Sequence, residues 1–197
     1  MKTLSIIIPT LNTKKEDWWT YIVDLFRKIV KSEHIILKYF KDYEIIIIKD
    51  KLVNEAWNEW VDKSKWEIIM ILNDDIIIED DVWFYMQQLQ ELQVYCPYYT
   101  RKEDYTKVYS SNWENIVWFC FAIHKKEWKD IPKELELRYW DNYIYEYMNH
   151  NILWGWNIHH FESKSLFSDE HKDRCSKIIE KDKLNWINIK QLICWSN

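Results

Sequence analysis

The sequence predicts an α/β protein in which a mostly parallel central sheet lies between two layers of helices. Apolar runs at residues 44–48 and 67–72 are too short to span a membrane and lack helical spacing, which is typical of strands buried on both faces of a parallel sheet. A similar run at residues 4–8 is followed by a segment with helical periodicity. Strands that alternate with helices in this way indicate βαβ units with right-handed crossovers.

The first half of the chain has a regular strand, loop and helix pattern. The strand at residues 4–8 is expected to end at Pro9, and residues 10–12 form the loop beyond its carboxyl end. Apolar residues between Trp18 and Val30 recur at i, i+3 and i+4, which predicts an amphipathic helix on the sheet. A weaker helix over residues 53–62 then leads into the central strand, and another begins after the acidic residues 79–81.

The second half of the chain is less regular. Its predicted elements are strands at residues 94–99, 116–123 and 157–161, a polar connection at 101–112, helices at 125–131 and 141–149, and a charged, partly helical stretch from Ser168.

Length and composition predict one globular domain over residues 1–197. The net charge of −5 argues against non-specific nucleic-acid binding. No apolar run approaches the roughly 20 residues of a membrane helix, and the start of the sequence does not resemble a signal peptide, so we expect a cytoplasmic protein. The four cysteines are widely spaced, which argues against a zinc site or a disulfide framework.

The central strand ends in a cluster of polar residues, Asn73, Asp74 and Asp75. In open α/β sheets, ligands bind beyond the carboxyl ends of the strands, and oxygen ligands there suit a hard divalent cation such as Mg²⁺ or Mn²⁺. The alternative is a solvated turn that follows a strand.

Several segments between Leu4 and Ser165 together resemble the inverting GT-A glycosyltransferases of the large family 2 type, which includes many bacterial cell-surface sugar transferases. The segments are LSIIIPTLN at 4–12, EIIIIKD at 44–50, NEWVDKSKWEIIMILNDD at 58–75, VWFCFAI at 117–123, Trp140-Asp141-Asn142, and HFESKS at 160–165. The resemblance implies a GT-A fold, an α/β/α sandwich that binds a nucleotide sugar.

The resemblance also implies the reaction and its cofactor. A sugar would pass from a nucleotide-diphosphate sugar to a hydroxyl of a glycan, lipid-linked or protein acceptor, with inversion and with help from Mn²⁺ or Mg²⁺. Asp75 is the implied metal ligand, because Asn73 replaces the first Asp of the family's Asp-x-Asp motif, and His160 is a second ligand. Asp141 is the implied general base, with helix capping as the alternative. The protein would work in the cytoplasm, including the inner face of a membrane.

The remaining implied site residues line the donor pocket. Pro9, Thr10 and Asn12 would contribute backbone groups and an amide, Asp50 would contact the base or ribose, and Asp74 would lie on the ribose or phosphate side. Asn58, the first residue of the family's Asn-x-Gly pattern, completes the set. Ordinary turn chemistry is the alternative for the loop residues.

Two other functions agree with parts of the sequence. The abundance of aromatic residues could indicate a non-catalytic carbohydrate-binding protein, which would be indifferent to metal. A sugar nucleotidyltransferase would share much of the fold, but it would need a glycine-rich loop with Arg or Lys after the first strand. The segment PTLNTKK does not supply such a loop.

The chain has 1 glycine and 14 tryptophans, whereas average usage predicts roughly 14 glycines in a chain of this length. We hypothesise that many tryptophans stand at glycine positions of the native protein, as when UGA codons that mean glycine are read as tryptophan. The alternative is a genuinely tryptophan-rich protein. If Trp60, Trp66, Trp118 and Trp140 replace glycines, they should lie at turns, strand starts or helix ends rather than in a common core. True core tryptophans should be buried, with partners for their N–H groups.

Overall fold

A computed structural model describes residues 1–10, 18–49, 53–73, 76–101, 104–109, 120–135, 143–144, 151–160, 177–178 and 180–189. The elements in chain order are β1 (Lys2–Thr10), α1 (Trp18–Lys31), α2 (Glu33–Tyr39), β2 (Phe40–Lys49), α3 (Val53–Lys63), β3 (Ile68–Leu72), β4 (Ile76–Ile77), α4 (Val82–Met86), β5 (Gln93–Arg101), β6 (Asp104–Tyr109), β7 (Cys120–His124), a 3₁₀ turn (Lys125–Glu127) and β8 (Asn151–His160).

The described strands form one eight-stranded sheet in the order β2-β1-β3-β7-β5-β8-β4, with β6 paired to β5. Parallel pairing joins β1 to β2, β1 to β3 and β5 to β8, while β7 pairs antiparallel with both β3 and β5. As a result β1, β2, β3, β5 and β8 all run in the same direction, and β4, β6 and β7 run in the opposite one. The predicted fold class is confirmed, and so is the parallel, adjacent arrangement of the first three predicted strands.

The central strands bury apolar side chains on both faces of the sheet. Leu4, Ile6 and Ile8 of β1 belong to a core that also contains residues of α1, α2 and α4. Ile7, with Ile71 of β3, lies in a second core that contains residues of α3. Successive side chains of a strand point to opposite faces, so an uninterrupted apolar run requires a helical layer on each side.

The structure differs from the sequence prediction in the second half of the chain. β6 lies within the stretch predicted as a polar connection, and β8 begins at Asn151 rather than at residue 157. The segment after β7 forms only the 3₁₀ turn, where a helix up to residue 131 was predicted. β6 and the residues by which β8 begins earlier than predicted both pair with β5. Strand formation depends on such partners, which local sequence does not reveal.

Within the described residues, no helix is both long enough and apolar enough to cross a membrane.

Ser32 joins α1 and α2 to the segment before α4. Its hydroxyl donates to Asp80 Oδ1 at 2.7 Å, and Lys28 Nζ of α1 lies 3.2 Å from the same oxygen. The Ser32 hydrogen bond is the main cause of a lowered pKa for Asp80, and Lys28 adds to it. Ser32 itself is buried.

Ser32→Ala should reduce the free energy of unfolding at pH 7 by about 1 kcal/mol or less, because it removes one hydrogen bond to a partly exposed carboxylate. Because the pKa of Asp80 is lowered on folding, the contribution is present above the unfolded pKa of about 3.9 and is lost as the pH falls through the lower folded value. Urea unfolding at pH 7 and pH 3 measures it. An equal loss at both pH values would contradict this linkage.

The described tryptophans fit the glycine hypothesis only in part. Trp66 lies in the bend before β3, as expected, and it is half-buried. Trp60 lies in α3 and packs against the second core, which was not expected, with Lys63 Nζ 4.7 Å from its ring centroid. Trp118 and Trp140 lie outside the described residues. Leu92 is the only described non-glycine residue with a positive φ, so a need for positive φ does not explain Trp60 or Trp66.

The indole N–H groups provide a separate test. In the described part of the chain, the buried Nε1 atoms of Trp60, Trp66, Trp83 and Trp128 have no hydrogen-bond partner. Buried indoles usually find an acceptor, and an unsatisfied buried donor costs about 1–3 kcal/mol. A glycine at the same position would bring no such donor. The finding therefore favours the hypothesis over a set of native core tryptophans.

Trp66→Gly should leave the free energy of unfolding unchanged or increase it, because it removes a buried unpaired donor outside any helix or strand. Phe121→Ala is the control: it removes a ring that is 1% exposed and should cost about 3–5 kcal/mol. Urea unfolding of both variants makes the comparison. A loss for Trp66→Gly as large as that of the control, or a mass spectrum of the native protein with tryptophan at this position, would end the hypothesis.

Candidate functional site

The carboxyl ends of β1, β2 and β3 lie at one edge of the sheet, which we call the carboxyl edge. Thr10 at the end of β1 is paired in register with Lys49 at the end of β2. Ile7 of β1 is paired with Ile71 of β3, so Asn73 follows at the same edge, where it is half-buried. Ligands of open α/β sheets bind at such an edge, and the sequence placed its donor-pocket residues there.

Two neighbouring strands extend beyond the end of β3. Leu72 is paired with Cys120 of β7, whereas β5 and β8 stay paired as far as Arg101 and His160. The short strand β4 then returns to this extension, with Ile76 opposite His160. Directly opposed residues of an antiparallel pair have Cα atoms about 4.5–5.5 Å apart. The sheet register therefore places the backbone of His160 beside the residue that follows Asp75 in the sequence.

Most of the predicted site side chains fall outside what the structure describes. Of Thr10 and His160, only the backbone is described, and Pro9 is a half-buried residue of β1 with Ile48 as its partner. Asn12, Asp50, Asp74, Asp75 and Asp141 lie outside the described residues. Among the residues that the structure does describe, no group of three or more His, Cys, Asp or Glu side chains could hold a metal ion. The metal ligands Asp75 and His160 therefore stay a prediction.

Asn58 makes contacts that the sequence did not suggest. Its Nδ2 donates to the carbonyl oxygen of Ile131 at 2.8 Å, and the backbone N–H of Ile131 donates to Asn58 Oδ1 at 2.9 Å. A single side-chain amide thus pairs with both backbone groups of one residue, much as a neighbouring strand would. The structural role of Asn58 is thus observed, whereas its role in donor binding, which the resemblance implied, stays a prediction.

The chain after β7 runs along α3 in the opposite direction. This path begins at the carboxyl-terminal end of α3, where Lys125 Nζ donates to the carbonyl oxygens of Asp62 and Ser64. Ile131 then meets Asn58 in the middle of the helix, and the carbonyl oxygen of Lys133 accepts a hydrogen bond from Asn54 near its start. Because α3 begins just after β2 ends, this path leads the chain towards the carboxyl edge.

The residues on either side of Asp141 are anchored in the second core. Leu135 is fully buried, and Tyr143 and Ile144 are 6% and 1% exposed. These three residues share one apolar cluster with Trp57 of α3 and Ile71 of β3. The segment that carries Asp141 in the sequence is thus fixed at both ends beside α3 and the central strand.

Sequence reasoning missed three residues that hold this segment: Asn54, Lys125 and Asn185. Asn185, in the helical residues 180–189, donates through Nδ2 to the carbonyl oxygen of Glu134 at 2.9 Å. The spacing of Asn54 and Asn58 was a usable signal, because residues at i and i+4 share one helix face. Nothing in the local sequence of Lys125 or Asn185 indicated their partners.

Two ionisable groups inside the sheet are unsuited to catalysis. Burial raises the pKa of the Tyr95 hydroxyl far above its ordinary value, and burial is also the main cause of a raised pKa for the Cys120 thiol. Both groups therefore stay neutral at physiological pH, which removes Cys120 as a nucleophile.

No family model matches this chain, and no curated protein matches it by sequence. Its fold is nevertheless similar to solved structures. The crystal structure of GalNAc-T7 with UDP, GalNAc and Mn²⁺ superimposes with a TM-score of 0.59 and 10% sequence identity, covering 91% of this chain and 48% of that one. The chain thus spans about half the length of that structure. A197 from STIV gives a TM-score of 0.47 and 17% identity, with 78% and 81% of the two chains covered. The first similarity shows a GT-A-like fold.

Proposed function

We propose that the protein is an inverting glycosyltransferase that moves a sugar from a nucleotide-diphosphate sugar to an acceptor hydroxyl. The observation that carries the proposal is the β4–β8 pair at the carboxyl edge of a GT-A-like sheet. This pair brings the backbone of His160 beside Ile76, the residue that follows Asp75 in the sequence. The similar structure was crystallised with UDP, GalNAc and Mn²⁺, which supports a nucleotide sugar and a divalent cation as the ligands.

The donor would lie across the ends of β1 and β2. Pro9 and Thr10 would offer backbone groups to the nucleotide, and Asn12 and Asp50 follow these two strand ends in the sequence. Asp74 would contact the donor on its ribose or phosphate side.

Asp75 and His160 would hold Mn²⁺ or Mg²⁺ at the same edge. One carboxylate, one imidazole and phosphate oxygens suit either ion, and the backbone register fits a site with these two ligands. When bound, the cation neutralises charge on the departing diphosphate.

Asp141 would act as the general base on the acceptor side. The acceptor oxygen attacks the anomeric carbon from the face opposite the diphosphate, so that the new C–O bond forms as the bond to phosphate breaks. The proton of the hydroxyl passes to the Asp141 carboxylate. One such displacement inverts the configuration at the anomeric carbon. The acceptor would be a glycan, lipid-linked or protein hydroxyl, reached in the cytoplasm or at the inner face of a membrane.

Addition of Mn²⁺ should allow the protein to hydrolyse or transfer at least one nucleotide sugar in a screen, and Asp75→Ala should abolish that activity by removing the metal ligand. Asp62→Ala is a matched control, because it removes the same charge from an exposed residue at the carboxyl-terminal end of α3, away from the carboxyl edge of the sheet. Activity that is insensitive to chelator, or equal in the two variants, would remove the metal assignment.

Asp141→Asn should lower kcat about 10²–10⁴-fold, the usual contribution of a positioned base, while the affinity for the donor changes little. A carboxylate base works only when deprotonated, so the wild-type rate should fall as the pH drops through its pKa, and the variant should lose this acid limb. Steady-state kinetics from about pH 3 to about pH 9, a range that includes the ordinary Asp pKa of about 3.9, would show both effects. A variant with the wild-type pH profile would contradict the role of Asp141.

A further inference from the structure

Asn54 and Asn58 form a short ladder of side-chain amides along one face of α3. Asn58 pairs with both backbone groups of Ile131, at 2.8 and 2.9 Å. Asn54 donates to the carbonyl oxygen of Lys133 at 3.1 Å, while its own Oδ1 accepts from the backbone N–H of Glu55 at 2.8 Å. Asn54 is 2% exposed and Ile131 1%. Both amides therefore hydrogen-bond to protein groups; Asn54 is buried and Asn58 is half-buried.

The two amides contact the segment at two separate points. Four residues of an α-helix rise about 6 Å, so Asn54 and Asn58 are about one helical turn apart. Asn54 and Asn58 are four residues apart, and their partners Lys133 and Ile131 are two apart. The two amides on α3 thus hold the carbonyl oxygens of Ile131 and Lys133 at two points, which fixes the position of residues 131–133 along the helix as well as their distance from it.

Besides the two amides, Asn185 holds this segment, because its Nδ2 donates to the carbonyl oxygen of Glu134 at 2.9 Å. The one described backbone hydrogen bond within it runs from the N–H of Leu135 to the carbonyl oxygen of Pro132 at 3.0 Å. Pro132 has no N–H to contribute. Loss of Asn58 would leave the buried N–H and C=O of Ile131 without partners, at a cost of about 1–3 kcal/mol for each group. The hydrogen bonds of Asn54 and Asn58, together with the burial of Ile131 and Leu135, therefore set the position of the segment along α3.

We infer that Asn54 and Asn58 are positioning residues, which set the place of the general base by fixing residues 131–135 along α3 on their way to the carboxyl edge. The inference rests on the proposed function of Asp141. It gives Asn58 a role on the acceptor side of the reaction, and the affinity for the donor nucleotide tests whether Asn58 also contacts the donor. Asn58 does not touch the reacting atoms in this role; it acts through residues 131–135, which precede Asp141 in the sequence.

Asn58→Ala tests this with three measurements: hydrogen exchange, kcat, and the Kd for UDP in the presence of Mn²⁺. Amide exchange should become about tenfold faster or more in residues 131–135 and should rise in 136–142, because the buried partners of Asn58 are lost. The kcat for transfer should fall about 10–100-fold, the scale expected when a catalytic group is misplaced by about 1 Å. The Kd for UDP should stay within about twofold.

Two further variants calibrate the result. Asn54→Ala removes one hydrogen bond to the segment rather than two, so it should shift exchange and kcat in the same direction by less, and it serves if Asn58→Ala does not fold. Glu55→Ala removes an exposed side chain from the same turn of α3 and should change none of the three measurements.

The outcomes separate this inference from the proposed function. If Asn58→Ala raises the Kd for UDP by the same factor by which it lowers kcat, Asn58 contacts the donor and the inference is overturned. Unchanged hydrogen exchange in residues 131–142 would also overturn it. If the wild-type protein transfers no sugar, the proposed function fails. Faster exchange in 131–142 would then still support the positioning of this segment by Asn54 and Asn58, and unchanged exchange would still refute it.

Discussion

The structure depends first on β1, which pairs in parallel with β2 on one side and β3 on the other. Its apolar side chains alternate between two cores, so both faces of the sheet must be covered by helices. Full burial of each Leu or Ile contributes about 1.5–3 kcal/mol. Parallel pairing also forces every connection to return across a face of the sheet. The loops after β1, β2 and β3 consequently all begin at the same edge, and that edge is where we place the donor.

The other side of the proposed site depends on two hydrogen-bonded extensions of this three-stranded part of the sheet. β5 and β8 continue past the end of β3, and β4 pairs with the tip of β8, so that Ile76 meets His160. On the side of the sheet that α3 covers, the amides of Asn54 and Asn58 hold the carbonyl oxygens of Lys133 and Ile131, and the chain there runs towards the same edge. Both arrangements join parts of the chain that are far apart in the sequence, and both use backbone hydrogen-bonding groups, whose geometry allows little freedom.

The tryptophans are the feature that fits the fold least well. Natural sequences normally show agreement between local preference, burial and hydrogen bonding. Here the indoles of Trp60, Trp66, Trp83 and Trp128 bury N–H groups that have no partner among the described residues. A glycine at such a position would bring no N–H donor of a side chain to bury. The amino-acid composition and the unpaired N–H groups are independent reasons to ask whether tryptophan is the native residue at these positions.

The sequence alone determined the fold class and the first three strands, because apolar runs and helical spacing are local properties of the chain. It also indicated the carboxyl ends of those strands as the site, since polar residues follow each of them. Only the tertiary structure decided that β6 exists and that β8 starts at Asn151, because a strand needs a partner. Likewise, the amide of Asn58 binds a residue 73 positions away. Tertiary packing determines such distant hydrogen-bond partners, and the local sequence does not predict them.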